Sequence, residues 1–208
     1  MDNVLYESIY ELNSIIAEVN SEFIYESIML ESDSSKSILE KIKDSWKFFM
    51  NDMKKIIKAC SDFLIKNSKR IMESADIKVI VNDRTVLLNA LRELNDDNKQ
   101  GYKAFDKIVN GYDYYLVRFE KRKMITMYKS QAIKYLEKQL NEANSLIEEF
   151  DKDVDLMLKV YERDKDKLGE HARYKAEMVS SSRKLYRKLI NEIVDEIERV
   201  TIKKRDVK

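Results

Sequence analysis

The sequence has no proline, one cysteine, one histidine and three glycines in 208 residues. Each scarcity excludes something. Without proline, and with only Gly101, Gly111 and Gly169, the residues that stop helices and build tight β-turns are nearly missing, so long helices are the natural outcome. Isolated glycines also exclude a phosphate-cradling loop, which needs them close together. Cys60 has no partner for an intramolecular disulfide; between Ile57 and Leu64 it reads as a small buried hydrophobe in a reducing compartment. His171 sits beside Gly169 and Glu170 with no second His or Cys at ligand spacing, which argues against zinc and thiol-imidazole chemistry. A di-iron bundle needs two Glu-x-x-His pairs, and the chain has none. No apolar run approaches the ~18 residues that span a bilayer, and the first residues are acidic where a signal peptide is basic. These absences lead us to expect a non-enzymatic product with no catalytic, cofactor or metal residues and no small-molecule substrate. It should be neither secreted through a signal peptide nor membrane-spanning.

What is present is charge and helical periodicity. Charged residues make up 37% and hydrophobic ones 44% of the chain, the profile of long amphipathic helices. The net charge of +1 conceals an asymmetry. Residues 1–35 carry eight acidic side chains and no Lys or Arg, a segment charge of −8, whereas residues 36–70 carry ten basic and four acidic ones, +6. Either the first helix lies against the second in a hairpin, or the acidic stretch is a detachable, partner-seeking segment.

Four segments follow from the periodicity. In 1–35, Leu5, Ile9, Leu12, Ile16, Val19 and Phe23 lie on one stripe of a helix from 3 to about 31. In 36–75, Ser37 and Glu40 have capping-box spacing, so a second helix begins near 35 or 37 and continues through Ile42, Trp46, Phe49, Met53 and Leu64 to about 75. Residues 76–120 form a connector. Here β-branched Ile77–Val81 and the run Tyr112–Phe119 would suit a small β-ribbon, but we favour a turn at Asn82-Asp83, a helix over about 84–95, a polar break at 95–98 and a further helix ending at Gly111. In 121–208, Ile133, Leu136, Leu140, Ala143, Ile147, Phe150, Val154, Met157 and Tyr161 alternate spacings of three and four over four heptads, an association seam or one face of a hairpin. A last helix spans about 172–203, and Gly169 either turns the chain or bends a continuous rod. The expected fold is all-α: an elongated helical bundle or coiled coil with long antiparallel helices, possessing at most a small irregular or β-ribbon insert around 76–119.

Two sequence features bear on function. Lys54, Lys55 and Lys58, with Trp46, Phe48, Phe49 and Phe63 nearby, have the composition of a helix lying on an anionic surface, and long helices with basic faces resemble membrane-bending BAR-type dimers. Nucleic-acid binding is disfavoured because acids alternate with the bases. The second feature is a repeated phrase: Leu5-Tyr6-Glu7-Ser8-Ile9 returns as Ile24-Tyr25-Glu26-Ser27-Ile28, with Met29-Leu30-Glu31-Ser32 close behind. An aliphatic residue, any residue, Glu and a small residue resembles the cleavage consensus of the prohead maturation proteases of large tailed phages. The acidic leader followed by Ser37-Ile38-Leu39-Glu40-Lys41-Ile42-Lys43-Asp44-Ser45-Trp46 is similar to minor virion proteins of phages infecting low-GC Gram-positive bacteria; the likeness covers about the first 75 residues. It implies an internal or accessory structural protein of a virion, or of the bacterial host cytoplasm during assembly. Its partners would be itself or other virion proteins, and Glu7, Glu26 and Glu31 are candidate processing sites. A membrane-surface dimer and a small helical regulator that binds a protein partner are the alternatives.

Overall fold

A computed structural model describes residues 3–32, 37–73, 76–99, 123–163 and 169–202. Among them are five helices and one two-stranded ribbon: α1 (Asn3–Ser32), α2 (Ile38–Met72), β1 (Lys78–Asp83), α3 (Thr85–Lys99), β2 (Lys123–Tyr128), α4 (Lys129–Arg163) and α5 (Gly169–Ile202). The fold is all-α with a small β insert. At ~1.5 Å per residue α2 and α4 are each about 52 Å long.

The start of α2 is set locally. The Ser37 hydroxyl accepts from the Glu40 backbone N–H at 3.3 Å, while the Glu40 carboxylate accepts from the Ser37 backbone N–H at 2.8 Å. This reciprocal box satisfies two N-terminal donors that the helix itself leaves open. Lys69 and Arg70 stand in the last turn, where cations oppose the negative end of the helix dipole.

Long-range bonds give the helix directions. Lys66 meets Glu11 at 3.1 Å, so α1 runs antiparallel to α2. Asp151 accepts from the Trp46 indole N–H at 2.6 Å near the start of α2 and the end of α4, so these two are antiparallel. Lys129 donates to the Thr201 carbonyl at 3.0 Å and Tyr186 to the Leu146 carbonyl at 3.3 Å, which makes α4 and α5 an antiparallel hairpin, not one continuous rod. α2 and α5 run side by side in the same direction, with Arg183 donating to the Ser45 carbonyl at 3.2 Å. α1 packs on α2 and α5 from one side, α4 from the other, and α3 lies along α4.

The core follows the apolar stripes. Phe49, Met53, Ile56 and Cys60 of α2, Leu136, Leu140, Ala143, Ile147, Phe150 and Val154 of α4, and Leu189, Ile190, Ile193 and Ile197 of α5 are buried together. Trp46 meets Phe150 edge-on at 5.1 Å between ring centroids, and Phe150 lies 6.0 Å from Tyr186, so one aromatic column joins three helices. From α1 come Ile9, Leu12 and Val19.

The connector and the start of the last segment differ from expectation. Lys78–Asp83 is a strand, paired antiparallel with Lys123–Tyr128. The expected partner run, 112–119, and the expected stop at Gly111 lie outside the described residues. The long helix expected from about 121 therefore begins at Lys129. The reason is pattern: Val79 and Val81 of β1 lie opposite Met127 and Ile125 of β2, an apolar row of period two set on the bundle, while Lys78 and Lys123 are exposed. The polar break expected at 95–98 is absent up to Lys99, because Asn95 is a buried helical residue that donates to the Leu146 carbonyl at 3.0 Å and accepts from the Tyr186 hydroxyl at 2.6 Å. The last helix starts at Gly169 instead of about 172.

Replacing Ser37 by Ala is expected to cost about 1 kcal/mol, seen as a lower urea midpoint at unchanged slope. An unchanged midpoint would mean that the capping box contributes nothing to α2.

Candidate functional site

Most polar side chains with unusual surroundings hold the bundle together. Arg84, between β1 and α3, is 4% exposed and pairs with Glu196, 3% exposed, on α5. The same carboxylate accepts from the Asn82 backbone N–H at 2.9 Å and from Arg199 at 2.6 Å, while Arg84 also donates to the Glu192 carbonyl at 3.0 Å and Arg199 to the Ile80 carbonyl at 2.6 Å. A buried carboxylate with two guanidiniums and a backbone amide is compensated, and its effect is to rivet the ribbon to α5. Burial pushes the Tyr186 phenol up and the Lys129 ammonium down, and both spend their protons on carbonyl or amide oxygens inside the bundle. The Thr85 hydroxyl and backbone N–H hold the Asp83 carboxyl below the usual carboxylate range; the carboxylate takes the first backbone N–H of α3 and also accepts from the Tyr135 hydroxyl at 2.9 Å. Burial pushes the Cys60 thiol up to about 12, so it stays protonated and inert at neutral pH, in keeping with its reading as a core hydrophobe.

Two of the grooves on the described surface have opposite character. The first is an open depression of about 640 Å³ between α1 and α5, lined by Tyr6, Ile9, Tyr10, Asn13, Ile202 and the carboxylates Glu7, Glu11 and Glu198. Tyr10 projects from its rim with 78% of its surface exposed. The second lies between α2 and α4 and encloses about 350 Å³. Its floor is Trp46, Met50 and Leu158, all buried, and its rim carries Lys43, Lys47, Lys54 and Lys159. Two acids also line it, but Asp151 accepts from the Trp46 indole and Asp155 pairs with Lys159 at 2.6 Å.

The residues singled out by sequence fall into three groups. Lys54, Lys55 and Lys58 are all exposed, and Lys54 lines the second groove; Trp46, Phe49 and Phe63 are in the core and Phe48 is half-buried, so contact with an anionic surface rests on the lysines and at most one aromatic. Glu7, Glu26 and Glu31 lie in one uninterrupted helix, α1. Glu7 is exposed on the first groove, and the side chains of Glu26 and Glu31 lie outside the described residues. A protease needs extended backbone, so cutting at any of them requires α1 to open locally. Of the seam, Leu136, Leu140, Ile147, Phe150 and Val154 are buried within this chain and Ile133 packs at the edge of the core, which engages the seam in the α4–α5 hairpin and on α2. The side chains of Met157, Tyr161 and His171 lie outside the described residues. Reasoning from sequence missed the first groove, although Tyr6 and Tyr10, one turn apart among acids, were the available signal.

Among the described residues no three His, Cys, Asp or Glu side chains are grouped to hold a metal ion, and no helix is long and apolar enough to cross a membrane. The chain matches no family model, no curated protein and no solved structure.

Two measurements check these assignments. A thiol reagent near neutral pH should leave Cys60 unmodified in the native protein and label it fully in denaturant; fast native labelling would contradict its burial. Because the folded Asp83 carboxyl ionises more readily than the unfolded one, its stabilising contribution is present above the unfolded value of 3.8 and fades as pH falls through the folded one. The stability deficit of Asp83→Asn in urea titrations should therefore be full at neutral pH and shrink in acid, and a deficit that grew in acid would reverse the sign.

Proposed function

We propose that this protein is a non-enzymatic structural or assembly component that works through its helical exterior, as an internal or accessory protein of a phage particle. The observation that carries the assembly reading is the first groove. Tyr10, exposed over most of its surface, stands beside apolar side chains and carboxylates on a regular helix, an arrangement suited to anchoring a partner, since tyrosines are enriched among the residues that dominate interface energy. Leu136, Leu140, Ile147, Phe150 and Val154 of the seam are spent inside the chain, which leaves association to the helical exterior. The phage setting rests on the repeated Tyr-Glu-Ser-Ile phrase and on the likeness of the first 75 residues to minor virion proteins.

Mass spectrometry of gradient-purified particles from the native source tests both parts. The chain should co-purify with particles, with a new N-terminus at Ser8, Ser27 or Ser32, so that the groove on α1 serves assembly before processing removes part or all of it. Absence from purified particles would end the virion reading, and presence with Met1 intact would end the processing part alone.

A further inference from the structure

We propose that the acidic, tyrosine-bearing face of α1 docks into the lysine-rimmed groove between α2 and α4 of a second copy of this chain, joining copies head to tail. The proposal rests on the assembly reading above and names the partner.

Complementarity is the first support. α1 has no Lys or Arg anywhere from Asn3 to Ser32, and its exposed Tyr6, Glu7, Tyr10 and Glu11 are neighbours at spacings of three and four on one face. The receiving groove reverses each feature: its floor is apolar and aromatic, and its rim carries Lys43, Lys47, Lys54 and Lys159. Its two carboxylates are already occupied, one by the Trp46 indole N–H and one by Lys159, so they present less repulsion to an incoming acid than free carboxylates would. A phenol ring seated over Trp46, Met50 and Leu158 would be removed from water, and Glu7 would meet the exposed Lys47 and Lys54 at the rim.

Placement is the second support. The tyrosine face lies beside the C-terminal end of α2, where Glu11 meets Lys66, whereas the lysine groove spans Lys43 to Lys54. At ~1.5 Å per residue these positions are about 18 to 34 Å apart along α2. They also lie on opposite sides of the bundle, since α1 and α4 flank the α2–α5 pair from opposite sides. One chain therefore cannot bring its own two surfaces together, and two chains joined through them each retain one unused surface. The contact is heterologous, and it propagates unless the rotation between copies closes a ring.

Sedimentation velocity of the purified full chain between about 1 and about 100 µM should show a mass that rises with concentration, and the rise should shrink when salt goes from about 0.05 to about 0.5 M. Glu7→Ala with Tyr10→Ala removes the donor face; Lys47→Glu with Lys54→Glu removes the groove. All four side chains are exposed, so helical circular dichroism should be unchanged. Each double variant alone should associate at least about ten-fold more weakly than the unmodified chain. Mixed in equal amounts, the two should form a heterodimer and grow no further, because only one productive contact exists between them. The proposal is overturned by a chain that stays monomeric throughout, including one that instead binds oligolysine or anionic vesicles. It is overturned equally by double variants that associate as the unmodified chain does, or by a mixture that yields no heterodimer. None of these results depends on whether the chain is found in virions.

Discussion

The structure depends on the mutual burial of three apolar stripes, on α2, α4 and α5, around the column Trp46, Phe150 and Tyr186. Each large aromatic there removes a sizeable surface from water, and the two that carry a donor have it satisfied, Trp46 by Asp151 and Tyr186 by Asn95. Those two bonds matter because an orphaned donor at such depth would cost a good part of what the ring contributes. They also set register. The indole bond fixes where α4 crosses α2, and the phenol bond fixes α3 and α5 against Leu146.

Around that column, charge is used to fasten. Arg84, Glu196 and Arg199 attach the ribbon to α5, and Lys129 answers the carbonyls at the end of α5. Groups of this kind in a cleft would suggest chemistry, since burial and paired charges shift proton affinities. Here Arg84, Glu196 and Lys129 lie buried in the packed bundle, and their hydrogen bonds go to backbone and neighbouring side chains. The exterior of the helices carries an acidic aromatic groove and a lysine-rimmed one.

The helices were largely legible because each long segment repeats one signal many times. Over α4 the apolar spacing of three and four recurs from Ile133 onward, and Ser37 with Glu40 marked the start of α2, expected near 35 or 37 and found at Ile38. The ribbon was only half legible. β-branched content identified Ile77–Val81, but its partner, Lys123–Tyr128, carries only two β-branched residues and acquires its strand character from the ladder to β1. Asn95 was misread as a breaker for the same reason: its helical place is secured by Leu146 and Tyr186, which are distant in sequence. Of the surface residues, the lysines were visible as a charge cluster, but the groove that Lys54 shares with Trp46 and Lys159 joins positions more than a hundred residues apart.

By itself, the sequence determined that this is a helical protein with a buried lone thiol, an acidic first helix and a basic second one, because such properties depend on composition and on spacing within a helical turn. Only the tertiary structure decided that the heptad seam faces inward, that Trp46, Phe49 and Phe63 among the lysines belong to the core, and that Tyr10 faces water. Which side of a helix is covered depends on what packs against it, and those partners come from parts of the chain that local pattern does not connect.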